Sequence, residues 1–459
     1  MKRLLVVLMT ALWTTFGVVK AQEVSPVDFM RMNPYQMNSN PSADLPYESV
    51  MSLFVGNFDL NYMTPTFRFD NLFDFDYWGR PKAWNLRKFA NSLDVDNVVG
   101  FSMNENLFTL YRRLGNGMLT FGYNLRAQGD FAVNDGLFKL LAYGNSAYVG
   151  EDHPATIKLN LNAQQFQEFA VGYQYNITEE LSVGGRAKFL LGFTNIKTDA
   201  FEAQLFTDPE SYALRVKEHV AMKASLPGLI TANNGALEMD GGLRFTDLFR
   251  NPGFGVDLGA QYRFNEHFSA VAAVQDLGFI HWGGNNIQLK SDINDAGQFY
   301  DEGSFVFEGM EFDQMRQLFS DAAYREQVLD TLKQYFQWEF SPAGDYNTML
   351  NTGLLLRGNY DVDSHNRFSL QGNGQFTNNG FRPSMTMAYS GSFFDKLDVC
   401  ATYTIMKHSY DNFGLGLAGS FGIFQCYLAT SNVIGLFKPL NVSAMDIQMG
   451  IVFCLRSKK

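Results

Sequence analysis

Residues 254–264 read Phe254-Gly-Val-Asp-Leu-Gly-Ala-Gln-Tyr-Arg-Phe264, and apolar side chains alternate with small or polar ones throughout. A period of two is typical of a β-strand with one apolar and one polar face. Strands of soluble domains average about 5–6 residues, whereas a tilted membrane-spanning strand needs about 9–11. The aromatic-rich face opposite Asp257 and Arg263 therefore predicts the apolar-out, polar-in pattern of a transmembrane barrel.

The same alternation recurs in 117–129, 169–177, 384–393 and 445–454. In lipid every backbone polar group needs an internal partner, so such a sheet must close on itself. We predict an all-β fold, a closed antiparallel transmembrane β-barrel of about fourteen strands with an N-terminal hatch and helix-containing extracellular loops. The predicted strands lie near 50–62, 98–112, 117–130, 168–177, 181–194, 253–264, 267–277, 348–361, 366–377, 382–394, 396–409, 412–420, 423–433 and 444–455.

Connection lengths support an even number of strands. Short turns alternate with long connections at 63–97, 131–167, 195–252 and 278–347, and in these barrels the short turns are periplasmic. Residues 198–224 and 279–309 each have room for a further hairpin, so the predicted count is open by two. Helical spacing of apolar residues predicts loop helices at 84–93, 135–143 and 314–335.

Composition excludes several classes of protein. Of 459 residues, 46% are hydrophobic, 15% aromatic and only 18% charged, so the chain has the means to bury a core and is not disordered. A mean hydropathy of −0.15 excludes a polytopic helical membrane protein. The net charge of −11 argues against a nucleic-acid partner, because phosphate contacts need clustered Lys and Arg.

The N-terminus predicts export. Lys2 and Arg3 precede an apolar run from Leu4 to Val19, and Val19-Lys20-Ala21 fits a cleavage site. An anchor helix is the alternative, but the run is shorter than the ~20 residues of a spanning helix. We therefore divide the chain into a signal peptide (1–21), a hatch segment (22–48) and a transmembrane barrel (49–459). The expected location is the outer membrane of a Gram-negative cell, with lipid as a partner.

No enzyme chemistry is evident in the pattern of reactive residues. Cys400, Cys426 and Cys454 lack the spacing of a zinc site, and the six His are scattered. Residues 414–419 spell a dinucleotide-binding fingerprint, but they lie within an alternating strand with no helix after it. We expect no catalytic residues, no cofactor and no metal.

Charged residues on the polar faces are the candidate functional residues. A solute-selective pore and a salt-bridged interior that supports a plug are both consistent with them, and we favour the second. The predicted lumen-facing residues are Arg126, Arg186, Lys188, Asp257, Arg263, Arg357, Asp361, Arg367 and Asp398.

Asn33-Pro34 and Asn40-Pro41-Ser42 precede the first strand. Together with Ala21-Gln22, the helix near 84–93 and Gly278-Phe279-Ile280-x-Trp282, they give a layout that resembles a Bacteroidetes-type outer-membrane β-barrel family of unknown function. The Asn-Pro element also resembles, loosely, the hatch of fatty-acid-transporter-like barrels, although Ser42 stands where those have Ala. The resemblance implies a hatch built on Asn33, Pro34, Asn40 and Pro41, and no residue roles beyond it.

Two functions stay open at this point. The hatch and the 43 Phe favour binding or passage of a small hydrophobic solute. The long loops favour a non-transporting surface platform or secretion accessory that binds a protein partner, because a simple pore does not need ordered loops. The sequence favours the solute narrowly.

Overall fold

The computed structural model describes residues 24–456 except 65, 68, 78–79, 211, 213, 229, 234–235, 240–241, 243–246, 248, 294–320, 322, 324–338, 395, 408 and 439–441. The predicted signal peptide and nearly all of the predicted helix at 314–335 lie outside the described residues. Both stay predictions.

Fourteen strands form one closed antiparallel ring, which confirms the predicted fold and strand count. Each ring strand pairs with its neighbours in chain order, and β1 closes the ring by pairing with both β2 and β14. The ring strands are β1 (Tyr47–Met63), β2 (Asp96–Leu114), β3 (Gly117–Asn134), β4 (Ala155–Asn176), β5 (Leu181–Thr207), β6 (Pro252–Arg263), β7 (Phe268–Trp282), β8 (Thr352–Asp361), β9 (Asn366–Thr377), β10 (Gly380–Phe393), β11 (Leu397–Met406), β12 (Ser409–Phe421), β13 (Phe424–Thr430) and β14 (Ala444–Arg456).

Side chains alternate between the two faces of the wall, as the sequence predicts. In β8, Leu355 and Arg357 are buried whereas Leu354 and Leu356 are exposed. Exposed large apolar side chains occur on strands all round the ring, among them Val171, Phe254, Leu370, Met387, Leu417 and Ile451. An apolar surface this extensive is not stable in water, and it fits the lipid-facing band of a membrane barrel.

The two ends of the barrel differ. One end, here called the turn end, carries six short turns, the start of β1 at Tyr47 and the end of β14 at Arg456. The opposite end, here called the loop end, carries the long connections. The further strands between or beyond the ring strands are Phe73–Phe75, Pro81–Trp84, Leu214–Ser225, Ile230–Asn233, Ala236–Met239, Asn286–Ile293, Glu339–Pro342 and Tyr346–Met349. Both segments with room for a further hairpin, 198–224 and 279–309, contain additional strand structure. In the first, Leu214–Ser225 pairs with the end of β5, and the second contains the strand Asn286–Ile293. Neither adds a strand to the ring.

The α-helices that lie wholly within the described residues are short and belong to the loop end. They are α1 (Leu86–Ser92), α2 (Gly136–Tyr143) and α3 (Val433–Phe437), of which the first two fall within the predicted loop helices. Phe89 of α1 packs against Phe138 of α2 with ring centroids 5.3 Å apart. Across the described residues, no helix is long and apolar enough to cross a membrane.

Candidate functional site

The hatch segment forms two short 3-10 turns before β1. Ser25 opens the first turn, Pro26–Phe29, and its Oγ accepts a hydrogen bond from the amide two residues on, at 3.3 Å. Asn33 opens the second, Pro34–Asn38, in the same way at 2.9 Å. In each turn Pro occupies the first helical position, where its missing N–H is not needed. The Asn33-Pro34 pair thus defines a capped turn.

Asn40 and Pro41 fix the next bend against the wall. Asn40 Oδ1 accepts from the amide and the hydroxyl of Ser42 at 3.1 and 2.6 Å, and its Nδ2 donates to Gln261 on β6 at 3.3 Å. Pro41 approaches the wall closely because residue 184 is Gly. A Cβ at Gly184 would lie 2.0 Å from the Pro41 carbonyl oxygen.

The hatch segment lies inside the barrel, because its contacts reach nearly opposite sides of the ring. The Met32 amide donates to the Asp398 carboxylate on β11 at 2.8 Å. Arg186 on β5 donates to the Asn38 carbonyl oxygen at 2.7 Å. Both contacts hold backbone groups of the hatch segment that would otherwise be buried without partners.

Six charged side chains meet in the lumen above the hatch segment, and we call them the charge network. Asp276 lies 2.7 Å from Arg126 and 2.6 Å from Lys188, and Lys188 lies 2.7 Å from Asp257. Arg126 pairs with Glu168 at 2.6 Å and Arg186 with Asp257 at 2.7 Å. No side chain in the network is more than 17% exposed. Three positive and three negative charges balance, as buried charges require.

Asp276 reaches the charge network through a β-bulge. Between Val256 and Leu258 on β6, the partner residues on β7 shift from Leu277 to Val274, which leaves one extra residue on β7. Asp276 has a φ of +55°, a conformation that Asp adopts more readily than most residues. Its amide donates to Asp257 at 2.8 Å. The bulge turns an otherwise outward position toward the lumen.

Beyond the charge network the lumen is filled by an apolar cluster. The Arg126 guanidinium lies 5.3 Å from the centroid of the Phe166 ring, which connects the two groups. The cluster consists of Phe166, Leu190, Ile280, Trp282, Tyr346 and Leu350, all buried. Along β3 to β7, side chains therefore fill the lumen from the hatch segment toward the loop end.

A second charged group lies at the turn end. Asp361 pairs with Arg367 at 2.8 Å and with Arg31 of the hatch segment at 3.4 Å. Burial and then the Arg367 charge lower the pKa of Arg31, and Asp361 opposes the shift. The guanidinium stays cationic, so this group adds an electrostatic contact between hatch segment and wall.

Arg357 and Tyr35 make further contacts between hatch segment and wall. Arg357 Nη1 donates to the Asp28 carbonyl oxygen at 2.8 Å, and its guanidinium lies 4.5 Å from the Phe29 ring centroid. The Tyr35 hydroxyl donates to Ser52 Oγ on β1 at 2.9 Å. Burial raises the pKa of Tyr35 well above its usual value, so the hydroxyl remains protonated and donating.

A cavity of about 170 Å³ lies beside these contacts. Val24 and Ser39 of the hatch segment border it on one side, and Leu355 of β8 and Met406 of β11 border it on another. Val98 of β2 lines it from the facing wall. Because β2 and β8 are nearly opposite in the ring, the cavity lies in the lumen.

An ion pair crosses the lumen beside this cavity. Arg382 of β10 lines the cavity, and its Nη1 lies 2.6 Å from Asp130 Oδ1 of β3. Asp130 is 1% exposed and Arg382 16%. The pair joins opposite walls near the loop end.

The structure separates the predicted lumen-facing residues into groups. Arg126, Arg186, Lys188 and Asp257 are in the charge network, and the others contact the hatch segment or its neighbours, apart from Arg263. Arg263 lies exposed at the turn-end limit of β6. What any of these residues contributes to function stays a prediction.

Four residues of the charge network and the Arg382–Asp130 pair were missing from the sequence prediction. Continuing the alternation by one step predicts three of them: Glu168 from Ala170, Asp130 from Gln128, and Arg382 from Ser384. Asp276 is in phase with the inward residues Gly278, Ile280 and Trp282, but the bulge puts it out of phase with those of the first half of β7, so the alternation along β7 gives it two conflicting orientations. Among the described residues, no group of three or more His, Cys, Asp or Glu could hold a metal ion.

The closed ring, the apolar outer band and the occupied lumen define a β-barrel of the outer-membrane type. The chain belongs to the family of unknown function DUF5723, whose sequence model matches residues 40–431. This membership confirms the resemblance to a barrel family without assigned chemistry. A comparison with curated proteins finds no match.

Solved structures of similar shape include three bacterial proteins. The Pseudomonas putida toluene transporter TodX is 8% identical, with 96% of this chain and 100% of that chain covered and a TM-score of 0.46. A Pseudomonas aeruginosa FadL homologue is 9% identical, with 94% and 96% covered and a TM-score of 0.45. The Ralstonia pickettii toluene transporter TbuX is 8% identical, with 94% and 96% covered and a TM-score of 0.42. At these identities and TM-scores no substrate is carried over to this chain.

Proposed function

We propose that this barrel binds a small, mostly apolar solute in the lumenal cavity and passes it across the outer membrane. The cavity between hatch segment and wall is the observation that carries the proposal. Its lining includes Val24, Met63, Val98, Leu355 and Met406, which offer apolar contact on several sides. Pockets for small molecules combine such apolar walls with a few polar groups.

Cavity size bounds the solute. An engineered apolar cavity of about 150 Å³ in another protein holds benzene. The cavity here, at about 170 Å³, suits a molecule with one ring or a short branched chain. A long chain would extend beyond it and displace residues of the hatch segment or the Arg382–Asp130 pair.

Passage toward the turn end requires the hatch segment to shift. Polar contacts such as Arg186 to Asn38 and Asp398 to Met32 hold it in place. We infer that the charge network supports the hatch segment and does not select the solute, since its charges already pair with each other.

Filling the cavity tests the proposal. Val24→Trp places a large side chain in the cavity from the hatch segment, outside any strand. Leu370→Trp introduces the same side chain on the outer face, where Leu370 is 50% exposed, and serves as the control. We expect saturable binding of a one-ring solute to the purified barrel by calorimetry, and uptake into liposomes. Val24→Trp should remove both and Leu370→Trp neither. Equal binding by the two variants would contradict the proposal.

The loop end supports a second candidate, a platform for a protein partner. Phe67, Phe89, Leu93 and Val133 form a separate buried cluster there, so these loops have a core of their own. A plain channel does not need one. A protein that co-purifies with the wild-type chain and is lost when residues 314–335 are deleted would favour this candidate.

A further inference from the structure

We propose that the solute bound in the lumenal cavity is uncharged and carries a hydrogen-bond acceptor, such as a carbonyl oxygen, on its apolar body. This inference rests on the proposed function and adds the chemical class of the solute. It is carried by the charges around the cavity and by three donor groups on residues that line it.

Charges at the cavity are already balanced. Arg382 Nη1 lies 2.6 Å from Asp130 Oδ1, and this ion pair offsets the positive charge that would attract an anionic solute. Asp28 also lines the cavity, and its carboxylate interacts electrostatically with the Arg357 guanidinium, which also donates to the Asp28 carbonyl oxygen at 2.8 Å. Lys407 lines the cavity with an exposed side chain, so water already solvates that charge. An anion would have to give up its hydration without gaining an uncompensated cation.

Three buried donors without acceptors belong to residues that line the cavity. Asn373 Nδ2, Asn379 Nδ2 and Arg382 Nη2 are buried, and the described part of the chain provides no hydrogen-bond partner for any of them. All three residues line the cavity. A buried donor without a partner costs free energy, which an acceptor brought by the solute would recover once the side chain turns its donor toward the cavity. A pure hydrocarbon would leave all three unpaired.

Three one-ring probes of similar size separate the alternatives. Acetophenone is neutral and has an acceptor, ethylbenzene is neutral without one, and benzoate is an anion. Titration of the purified full-length barrel, with the Val24→Trp variant as the blank, should show acetophenone binding about tenfold more tightly than ethylbenzene, or about 1.4 kcal/mol. Benzoate should bind more weakly than either.

Two substitutions test which residues set this preference. Asn373→Leu removes one donor at similar size, and the advantage of acetophenone over ethylbenzene should fall by several-fold. Asp130→Asn keeps the shape of the side chain but frees the Arg382 charge, so benzoate should bind at least about tenfold more tightly than to the wild type. The double variant Asp130→Asn/Arg382→Gln has neither charge and should lose that gain. If Asp130→Asn alone does not fold, the double variant still tests the charge balance, because it should bind benzoate no more tightly than the wild type does.

The outcomes separate this inference from the function beneath it. Equal binding of ethylbenzene and acetophenone, or tightest binding of benzoate to the wild type, would overturn the inference while leaving a cavity that binds solutes. Binding of none of the three probes would overturn the proposed function and the inference with it.

Discussion

Arg382 and Asp130 join opposite walls of the barrel through a 2.6 Å contact between Nη1 and Oδ1. Their strands, β10 and β3, are as far apart as the ring of fourteen allows. The backbone ladders of the closed ring set its average diameter, but they do not by themselves fix the distance between one particular pair of opposite walls. A buried ion pair across the lumen does so, and it narrows the lumen beside the cavity.

Removing either partner of this pair should destabilise the barrel. Arg382→Gln leaves the Asp130 carboxylate buried without its cation, a change that typically costs about 3–5 kcal/mol. Asp130→Asn has the converse effect on Arg382. Because the two side chains contact each other, the double variant should cost less than the sum of the two single variants. Urea unfolding of the four proteins in detergent measures the coupling, and additive costs would show that the pair contributes no interaction energy.

The charge network makes a separate prediction at Asp276, where charge and backbone conformation both matter. Asp276→Asn keeps a residue type that tolerates positive φ but removes the charge that Arg126 and Lys188 share. Asp276→Ala removes the charge and also disfavours the φ of +55°. We expect both variants to lower the free energy of unfolding, and the Ala variant to lose about 1 kcal/mol more. An Ala variant as stable as the Asn variant would show that the bulge conformation costs nothing.

The strands were predictable because the barrel imposes one simple rule on them. Lipid outside and a polar lumen inside require alternation over ten or more residues, and segments such as 254–264 show it without interruption. The short turns between strands showed where one strand ends and the next begins. The three residues missed at Glu168, Asp130 and Arg382 obey the same rule.

Features that break the alternation could not be predicted. The bulge at Asp276 depends on the pairing of β7 with β6, and a single sequence does not contain that register. β1 has a similar irregularity between Leu53 and Asn57, where Phe54 has a φ of +62°. Pairings across the lumen depend on the width of the closed ring. The cavity is therefore a property of the assembled barrel.

Tyr35 should couple the hatch segment to the irregular part of β1. Its hydroxyl donates to Ser52 Oγ at 2.9 Å, one residue before the register shift. Tyr35→Phe deletes only the hydroxyl and should cost about 0.5–1.5 kcal/mol of unfolding free energy. In the Tyr35→Phe background, Ser52→Ala should lower the free energy of unfolding by less than it does in the wild type, because the two changes remove one shared hydrogen bond. Independent costs in this cycle would show that the hydroxyl contributes nothing through Ser52.

The adjacent glycines of β5 give the sharpest test of how the hatch segment is seated. A Cβ at Gly184 would lie 2.0 Å from the Pro41 carbonyl oxygen and 2.5 Å from its carbon, so Gly184→Ala forces the hatch backbone away from the wall. Gly185 faces the other side, and its nearest neighbour would be Leu258 Cδ2 at 3.5 Å, an ordinary contact. Overpacking typically costs about 1–3 kcal/mol, enough to raise the population with a displaced hatch segment about fivefold or more. We expect trypsin to cleave after Arg31 faster in Gly184→Ala by that factor, and Gly185→Ala to match the wild type. Equal cleavage rates in all three proteins would show that the hatch segment does not rest on this part of the wall.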